Sequence, residues 1–170
     1  MWVFDATALI YLAKVEQLRL VSTFEGCCCI PDLVYEEVVT TGLEAGYPDA
    51  RRIEQSVEDG RFDLVSVDDS PLADRLRGNP TVSDADVTAL TCAASNEGVA
   101  VMDETAGRRV ADIEDIETRG TAYLVVLCAK RGAIAPDTAR ETIDAMIDAG
   151  WYCAPDVYTT IVRKPESFED

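Results

Sequence analysis

The sequence predicts an α/β protein with a parallel sheet covered by helices on both faces. Short apolar runs of strand length alternate with longer segments of helical periodicity over most of the chain. That alternation is typical of parallel sheets, because each connection must cross back over the sheet before the next strand begins. The 170 residues, 48% of them apolar, suffice for one hydrophobic core and are too few for two comfortable ones. We therefore predict a single domain over residues 1–170.

The elements follow one another in a regular order. An apolar run such as "VAVM" predicts a strand, and spacing of apolar residues by three and four predicts a helix. A charged, turn-rich stretch at 68–82 and an irregular tail after residue 150 carry neither pattern. Strands are predicted at 1–5, 27–30, 62–67 and 99–103, and helices at 6–21, 31–41, 48–60, 84–96, 104–113, 120–132 and 136–150.

Charge is the most unusual property of the composition. The chain has 32 acidic and 15 basic residues, of which three are lysines, for a net charge of −17. Such a field repels nucleic acid at low ionic strength, and salt screens it, since the Debye length falls from about 10 Å at 0.1 M to about 3 Å at 1 M. Few lysines, many aspartates and an ordinary apolar fraction are typical of a halophile, and ordinary acidic solubility is the alternative.

Targeting signals and metal-binding thiols are not evident. No apolar run approaches the roughly 18 residues of a membrane span, and the N-terminus lacks the features of a signal peptide, so we expect a cytoplasmic protein without membrane contact. Cys27, Cys28 and Cys29 form a consecutive triplet, which is typical of small buried residues in a strand. Without histidine or a CxxC pair, the sequence argues against a zinc site.

Acidic residues stand at the predicted ends of strands. In parallel sheets, ligands bind at the carboxyl ends of the strands. Asp5 ends the first strand and Asp103 ends the "VAVM" strand, each directly before a helix. Either residue could instead cap that helix, and Glu104 would suit the positive end of its dipole.

Helical periodicity separates the remaining acids. Glu37 flanks the apolar face of its helix, whereas Glu36 points away from it. In "SDADVTALTCAA", Asp86 shares the purely apolar side of the helix, and Asp84 is a first-turn charge facing solvent. Ser83 and Asp86 also have the spacing of a capping box, which is compatible with metal binding because a carboxylate has two oxygens.

The four acids suggest a metal site when they are taken together. Asp5, Glu37, Asp86 and Asp103 at neighbouring strand ends would repel one another without a cation. Oxygen ligands alone favour Mg²⁺ or Mn²⁺, and such an ion can activate water and hold the phosphate that the water attacks. The chemistry indicated is hydrolysis of a phosphodiester or phosphate ester.

Four segments resemble the motifs of the PIN-domain ribonucleases, a family that includes VapC-type toxins. The segments, in order, are "FDATALIYLAK", "IPDLVYEEV", "SDADVTALTCAA" and "VAVMDE". The segments "GRRVA", "RGT" and "AKRG" further resemble a subgroup of small prokaryotic PIN-like proteins.

The resemblance implies a three-layer α/β/α sandwich with a central, mostly parallel sheet, dependence on Mg²⁺ or Mn²⁺, and cleavage of RNA. It identifies Asp5, Glu37, Asp86 and Asp103 as metal-binding catalytic acids. Residues 133–170 depart from the compact toxin pattern and form a C-terminal helical extension and tail. A homodimer and an antitoxin protein are the partners that the resemblance suggests. Possible assistants are Thr7, Asp84 and Glu104, and possible phosphate contacts are Arg108 and Arg109.

Two alternatives remain open at this stage. A haloacid-dehalogenase-like phosphatase also begins with an Asp at a strand end, but it needs a second Asp where this chain has Thr7. A noncatalytic PIN-like interaction protein would keep the fold without the activity.

Overall fold

A computed structural model describes residues 1–163. Within that range, five parallel strands form one sheet in the order β3-β2-β1-β4-β5, and helices cover both of its faces. The predicted α/β class and the parallel sheet are confirmed. The strands are β1 (Trp2–Phe4), β2 (Cys28–Pro31), β3 (Asp63–Val65), β4 (Val99–Val101) and β5 (Thr118–Arg119).

Ten α-helices connect and flank these strands in the described range. They are α1 (Ala6–Lys14), α2 (Asp32–Tyr35), α3 (Gly42–Glu44), α4 (Pro48–Glu58), α5 (Pro71–Arg77), α6 (Asp84–Ser95), α7 (Thr105–Ile113), α8 (Thr121–Lys130), α9 (Pro136–Asp148) and α10 (Pro155–Arg163). A 3₁₀ helix spans Leu18–Thr23, and a π-helical segment, Glu36–Thr41, joins α2 to α3.

Alternate strand residues feed two separate hydrophobic clusters. Phe4 and Val101 lie in the cluster that packs under α1, α8 and α9, whereas Val3, Ala100 and Met102 lie in the cluster under α5, α6 and α7. Successive strand residues point to opposite faces, so the sheet is buried on both sides. The sandwich therefore has the three layers that were predicted.

The strand order creates a switch point at the centre of the sheet. The chain runs from β1 outward through β2 to β3, and then returns to the other side of β1 to add β4 and β5. Helices that leave β1 and β4 consequently diverge, and open a crevice at the carboxyl ends of these two strands. Asp5 and Asp103 follow these two strands at that end of the sheet.

The segment that carries Glu37 is wound more loosely than an α-helix. Residues Glu36–Thr41 form a π turn, which brings both Val38 and Val39 into the core together with Val34. π turns of this kind occur mostly as local insertions in α-helices, frequently at functional sites.

Three elements before residue 136 differ from the sequence-based expectation. Strand β5 has two residues and no apolar run, and it is held by backbone hydrogen bonds to β4. The stretch 68–82 contains α5, which begins at Pro71 and is capped by the Ser70 hydroxyl. The predicted helix 6–21 ends at Lys14, because Glu16 adopts a φ of 58° before the 3₁₀ helix begins.

The C-terminal segment is more regular than the irregular tail predicted after residue 150. It contains α10, and the preceding helix α9 buries Ala139, Ile143 and Met146 in the same cluster as Phe4. Helix α9 thus packs into the core. Residues 164–170 of the predicted extension and tail lie outside the described residues.

Helix α3 packs against α4 through a glycine, and this contact supplies a test of the packing. A methyl group on Gly42 would lie 2.7 Å from Cβ of Ala50, closer than two carbon atoms can approach without movement. We expect Gly42→Ala to lower the free energy of unfolding by about 1–3 kcal/mol, measured by urea denaturation. Ala50→Gly in that background removes the opposing methyl, so the two costs should be less than additive. Full additivity would contradict the close contact.

Candidate active site

Asp5 is buried at the carboxyl end of β1. Its backbone N–H donates to the carbonyl oxygen of Val101 (3.0 Å), which continues the pairing of β1 with β4 by one residue. Its Oδ1 accepts a hydrogen bond from the Ala6 N–H (2.6 Å) and caps α1. The side chain is 2% exposed. Capping therefore uses one carboxylate oxygen, and Oδ2 has no hydrogen-bond partner among the described residues.

The surroundings of Asp5 disfavour its negative charge. The pKa of Asp5 is raised from its ordinary value of 3.8 to about 7, mainly by burial and next by the negative charge of Asp86. The hydrogen bond from Ala6 opposes this shift, while Glu104 and Glu37 add smaller repulsions. A cation at this position would favour the ionised carboxylate.

Asp86 approaches Asp5 from the start of α6. Its N–H donates to the Ser83 hydroxyl (3.1 Å), and its Oδ2 accepts from the Ser83 N–H (2.8 Å), so both halves of the predicted capping box form. Asp86 is 6% exposed, whereas Asp84 is exposed to solvent, as the helical pattern predicted. Oδ1 of Asp86 remains without a hydrogen bond to any described residue.

Glu37 and Glu104 complete a group that we call the carboxylate cluster, defined as Asp5, Glu37, Asp86 and Glu104. Desolvation raises the pKa of the Glu37 carboxyl above its usual range, and the charges of Asp86 and Glu104 raise it further. Both glutamates are exposed, unlike the two aspartates. Because the charges of Asp86 and Glu104 act on both Asp5 and Glu37, the four side chains lie in one region.

Asp103 has a different environment from that cluster. Its Oδ1 accepts from the Thr121 N–H (2.8 Å), and its Oδ2 accepts from the Thr121 hydroxyl (2.6 Å) and from Trp151 Nε1 (3.1 Å). An anion at the first N–H of α8 is favoured by the helix dipole. Asp103 thus links the end of β4 to α8 and to the segment after α9.

Glycine allows a close approach where Asp103 meets α8. A methyl group on Gly120 would lie 3.1 Å from Oδ1 of Asp103 and 3.6 Å from Nη1 of Arg108. The "RGT" segment therefore supplies a glycine that lets the carboxylate approach and a threonine that binds it. Sequence reasoning singled out this segment without giving it a role, and it missed Trp151.

A cleft lies beside the carboxylate cluster. It has a volume of about 440 Å³, and Thr7 and Glu104 line it together with Asp103, Tyr11, Trp151 and Tyr152. A cavity of about 520 Å³ lies at the opposite edge of the sheet, near Cys27 and Asp63. We assign the candidate site to the smaller cleft, because Asp103 and Glu104 line it and Thr7, two residues after Asp5, lies at its wall.

The two predicted phosphate contacts, Arg108 and Arg109, lie on α7, and both are exposed. Arg108 reaches the region of Gly120 and Asp103, while Arg109 has no recorded contact with the cleft. Neither residue forms an ion pair with a carboxylate in the described part of the chain. Arg108 therefore lies near Asp103 without a direct ion pair to a carboxylate of the described residues.

The donor set fits a hard divalent cation. Asp5 and Asp86 are buried, and each has one oxygen that no described residue engages. No three carboxylates between residues 1 and 163 converge closely enough to hold a metal ion as they stand. Mg²⁺ is commonly held by one or two carboxylates together with waters and substrate phosphate, so this pair meets its chemical requirement.

Comparison with known proteins agrees with the fold. The parallel α/β/α sandwich with acids at the carboxyl ends of β1 and β4 places the chain in the PIN-like class. A family model described as a PIN domain, DUF3368, matches residues 1–167, and the chain belongs to that family.

Among solved structures, the chain is similar to VapBC-1 from nontypeable Haemophilus influenzae, with a TM-score of 0.51 and 15% identity. That match covers 71% of this chain and 97% of the other, and it supports the fold. A search of curated proteins found no match. Within the described range, no helix is both long enough and apolar enough to cross a bilayer.

The raised pKa of Asp5 predicts a dependence of stability on pH. Because the folded pKa (about 7) exceeds the ordinary one (3.8), the stability contributed by this group is complete below about pH 4 and is lost as the pH rises through 7. With chelator present near pH 8, Asp5→Asn should therefore have a higher free energy of unfolding than wild type, by on the order of a few kcal/mol. Urea denaturation measures this difference. Asn also caps helices well, which keeps the bond to Ala6.

The advantage of Asp5→Asn should shrink towards about pH 4, where the wild-type carboxyl is neutral in both states. Adding Mg²⁺ near pH 8 should stabilise wild type more than the variant. A variant that is less stable than wild type at pH 8 in chelator would contradict the desolvation of Asp5.

The bond between Asp103 and Thr121 predicts a second effect. We expect Thr121→Val to lower the free energy of unfolding by about 1.5–3 kcal/mol, because it removes a hydroxyl that donates to a charged acceptor. Thr142→Val is the matched control: that hydroxyl is also buried but donates to a neutral carbonyl oxygen, of Thr138. Its cost should be about 0.5–1.5 kcal/mol, and equal costs would argue against a charged Asp103.

Proposed function

We propose that the protein is a Mg²⁺- or Mn²⁺-dependent endoribonuclease that hydrolyses phosphodiester bonds of RNA. Asp5, Glu37, Asp86 and Asp103 are its proposed metal-binding and catalytic acids. The observation that carries the proposal is the pair Asp5 and Asp86, two buried carboxylates close enough for the charge of Asp86 to raise the pKa of Asp5, each with one oxygen that no described residue engages. Such a pair is costly without a cation and suited to binding one.

Each aspartate is oriented by its own helix. The bond from Ala6 holds one oxygen of Asp5, and the bond from Ser83 holds one oxygen of Asp86, so the free oxygens have fixed directions. Asp5 and Asp86 would hold a divalent cation there, whose chemistry would be to neutralise charge on the scissile phosphate and to lower the pKa of water. Glu37 and Glu104 are exposed beside this pair, where they can add ligands or accept a proton from water.

Other residues of the site would contact the substrate or hold the neighbouring elements in place. Arg108 lies near Asp103 and forms no direct ion pair with a described carboxylate, which leaves its guanidinium able to contact a phosphate. Thr7 lines the cleft and can donate a hydrogen bond from its hydroxyl. Asp103 keeps β4, α8 and Trp151 together, so it contributes position as well as charge. Asp84, which is exposed, and Arg109 lie further from this chemistry.

Membership of the PIN-domain family supports nuclease activity over the phosphatase alternative. The haloacid-dehalogenase-like phosphatase lacks support, because the chain has Thr7 where that class needs a second Asp and belongs to another family. The VapC-type toxins that the sequence resembles, and the likeness to VapBC-1, support the further proposal of an antitoxin partner. A homodimer is proposed on the same resemblance, and the cytoplasm as its location.

Cleavage of RNA by matched aspartate variants tests this proposal. We expect wild type to cleave a panel of RNAs with Mg²⁺ or Mn²⁺, and chelator to stop the reaction. Asp86→Asn should reduce the rate at least about 100-fold, because a charged, buried ligand becomes neutral while the capping box can still form. Asp84→Asn makes the same chemical change two residues away at an exposed position, and it should leave the rate near that of wild type.

The assay should include molar KCl, because the net charge of −17 repels RNA at low ionic strength. Equal loss of activity in both variants would argue against Asp86 as a ligand. Folded wild-type protein that leaves every RNA intact but binds a partner protein would favour the noncatalytic alternative.

A further inference from the structure

An aromatic side chain stands exposed at the rim of the candidate active site. Tyr152 is 81% exposed, yet it lines the same cleft as Thr7 and Glu104. Exposed aromatic residues are common singly on protein surfaces, so exposure alone indicates nothing. The backbone that carries Tyr152 distinguishes it, because that backbone is held rigidly against the site.

The turn before Tyr152 is a complete helix-terminating motif. Gly150 has a φ of 105°, its N–H donates to the carbonyl of Ile147 (2.9 Å), and the Trp151 N–H donates to that of Met146 (2.9 Å). This pattern of bonds is a Schellman motif, in which a glycine takes the left-handed conformation. Met146 and Trp151 are both buried in one cluster, which adds the hydrophobic contact typical of the motif.

Trp151 joins this turn to the acids of the site. Its ring is buried (6% exposed), and its Nε1 donates to Oδ2 of Asp103 at the end of β4. The turn is therefore held from two sides, by α9 and by Asp103, and Tyr152 comes immediately after the held residue. A platform for stacking needs such rigidity, because little conformational entropy is then lost on binding.

The cleft has the size and the neighbours expected for one nucleotide of a strand. Its volume of about 440 Å³ falls within the range of small-ligand sites. Arg108, which lacks an acidic partner in the described residues, lies near Asp103, where a phosphate next to the stacked base could reach it. Bases can stack on tyrosine only when they are unpaired and splayed out of a helix.

We propose that Tyr152 is the stacking platform for an unpaired base next to the cleaved phosphate, and that Trp151 is the positioning residue that holds it there. The inference rests on the proposed ribonuclease function and adds the side chain that contacts a base beside the cleaved bond. Since stacking tolerates every base, the platform selects unpaired strands more than sequences.

Steady-state cleavage and binding of defined RNAs test the platform. The probes are a single-stranded oligoribonucleotide, its perfect duplex, and a set of strands in which one nucleotide at a time is abasic. Tyr152→Ala should raise KM for the single strand roughly 5- to 100-fold with kcat unchanged. Tyr152→Phe should behave like wild type, because the ring stacks and the hydroxyl is not needed.

The abasic strands separate stacking from a structural effect. At one position, removing the base should weaken cleavage by wild type by the same factor, and Tyr152→Ala should then add no further loss. Ile113→Ala, which truncates a 79% exposed side chain at the far end of α7, is the control and should change nothing. The duplex should be cleaved poorly by every variant.

Three results would overturn the inference: a Tyr152→Ala enzyme equal to wild type, a loss that persists on every abasic strand, or a duplex cleaved as well as the single strand. Fluorescence anisotropy of the labelled single strand distinguishes this failure from failure of the nuclease proposal. If wild type cleaves no RNA but Tyr152→Ala still weakens binding by the same factor, the nuclease proposal fails and the stacking inference stands. If Tyr152→Ala binds the labelled strand as tightly as wild type, the stacking inference fails.

Discussion

Parallel pairing of β1 with strands on both of its sides places Asp5 inside the protein. The bond from the Asp5 N–H to Val101 continues that pairing past the last residue of β1, and the helix that follows begins at once with Ala6. The Asp5 side chain is 2% exposed, whereas Glu37 and Glu104 are exposed to solvent. Because the Asp5 carboxylate is already desolvated, the nearby charges of Asp86, Glu104 and Glu37 raise its pKa further above the ordinary value.

The site combines two ways of accommodating carboxylates in a protein interior. Asp5 and Asp86 keep free oxygens and repel each other, which costs stability in the absence of a cation. Asp103 instead receives three hydrogen bonds and stabilises the junction of β4, α8 and the turn after α9. Asp5 and Asp86 thus have oxygens available to a ligand, whereas Asp103 holds the neighbouring elements in place. Trp151 connects the C-terminal segment to Asp103.

Sequence patterns predicted the elements that bury an apolar run or an apolar helix face. They separated Asp86 from Asp84 correctly, because a regular α-helix turns by a known angle at each residue. They missed β5, whose two residues lie in the sheet through backbone bonds to β4 and not through their side chains. Helix α5 was missed although Ser70 and Pro71 are suitable cap and first-turn residues, since the surrounding charges indicated a loop. The π turn at Glu36–Thr41 leaves no mark in a pattern read at 3.6 residues per turn.

By itself, the sequence determined the class of fold, the order of strands and helices along the chain, and the set of acids that follow strands. These features depend on local periodicity and on residue type, both of which can be read along the chain. Only the tertiary structure decided that β1 lies between β2 and β4, that Glu104 joins the cluster while Asp103 binds Thr121 and Trp151, and that Tyr152 stands at the cleft. Those facts depend on contacts between residues far apart in the chain, such as the 48 positions that separate Asp103 from Trp151.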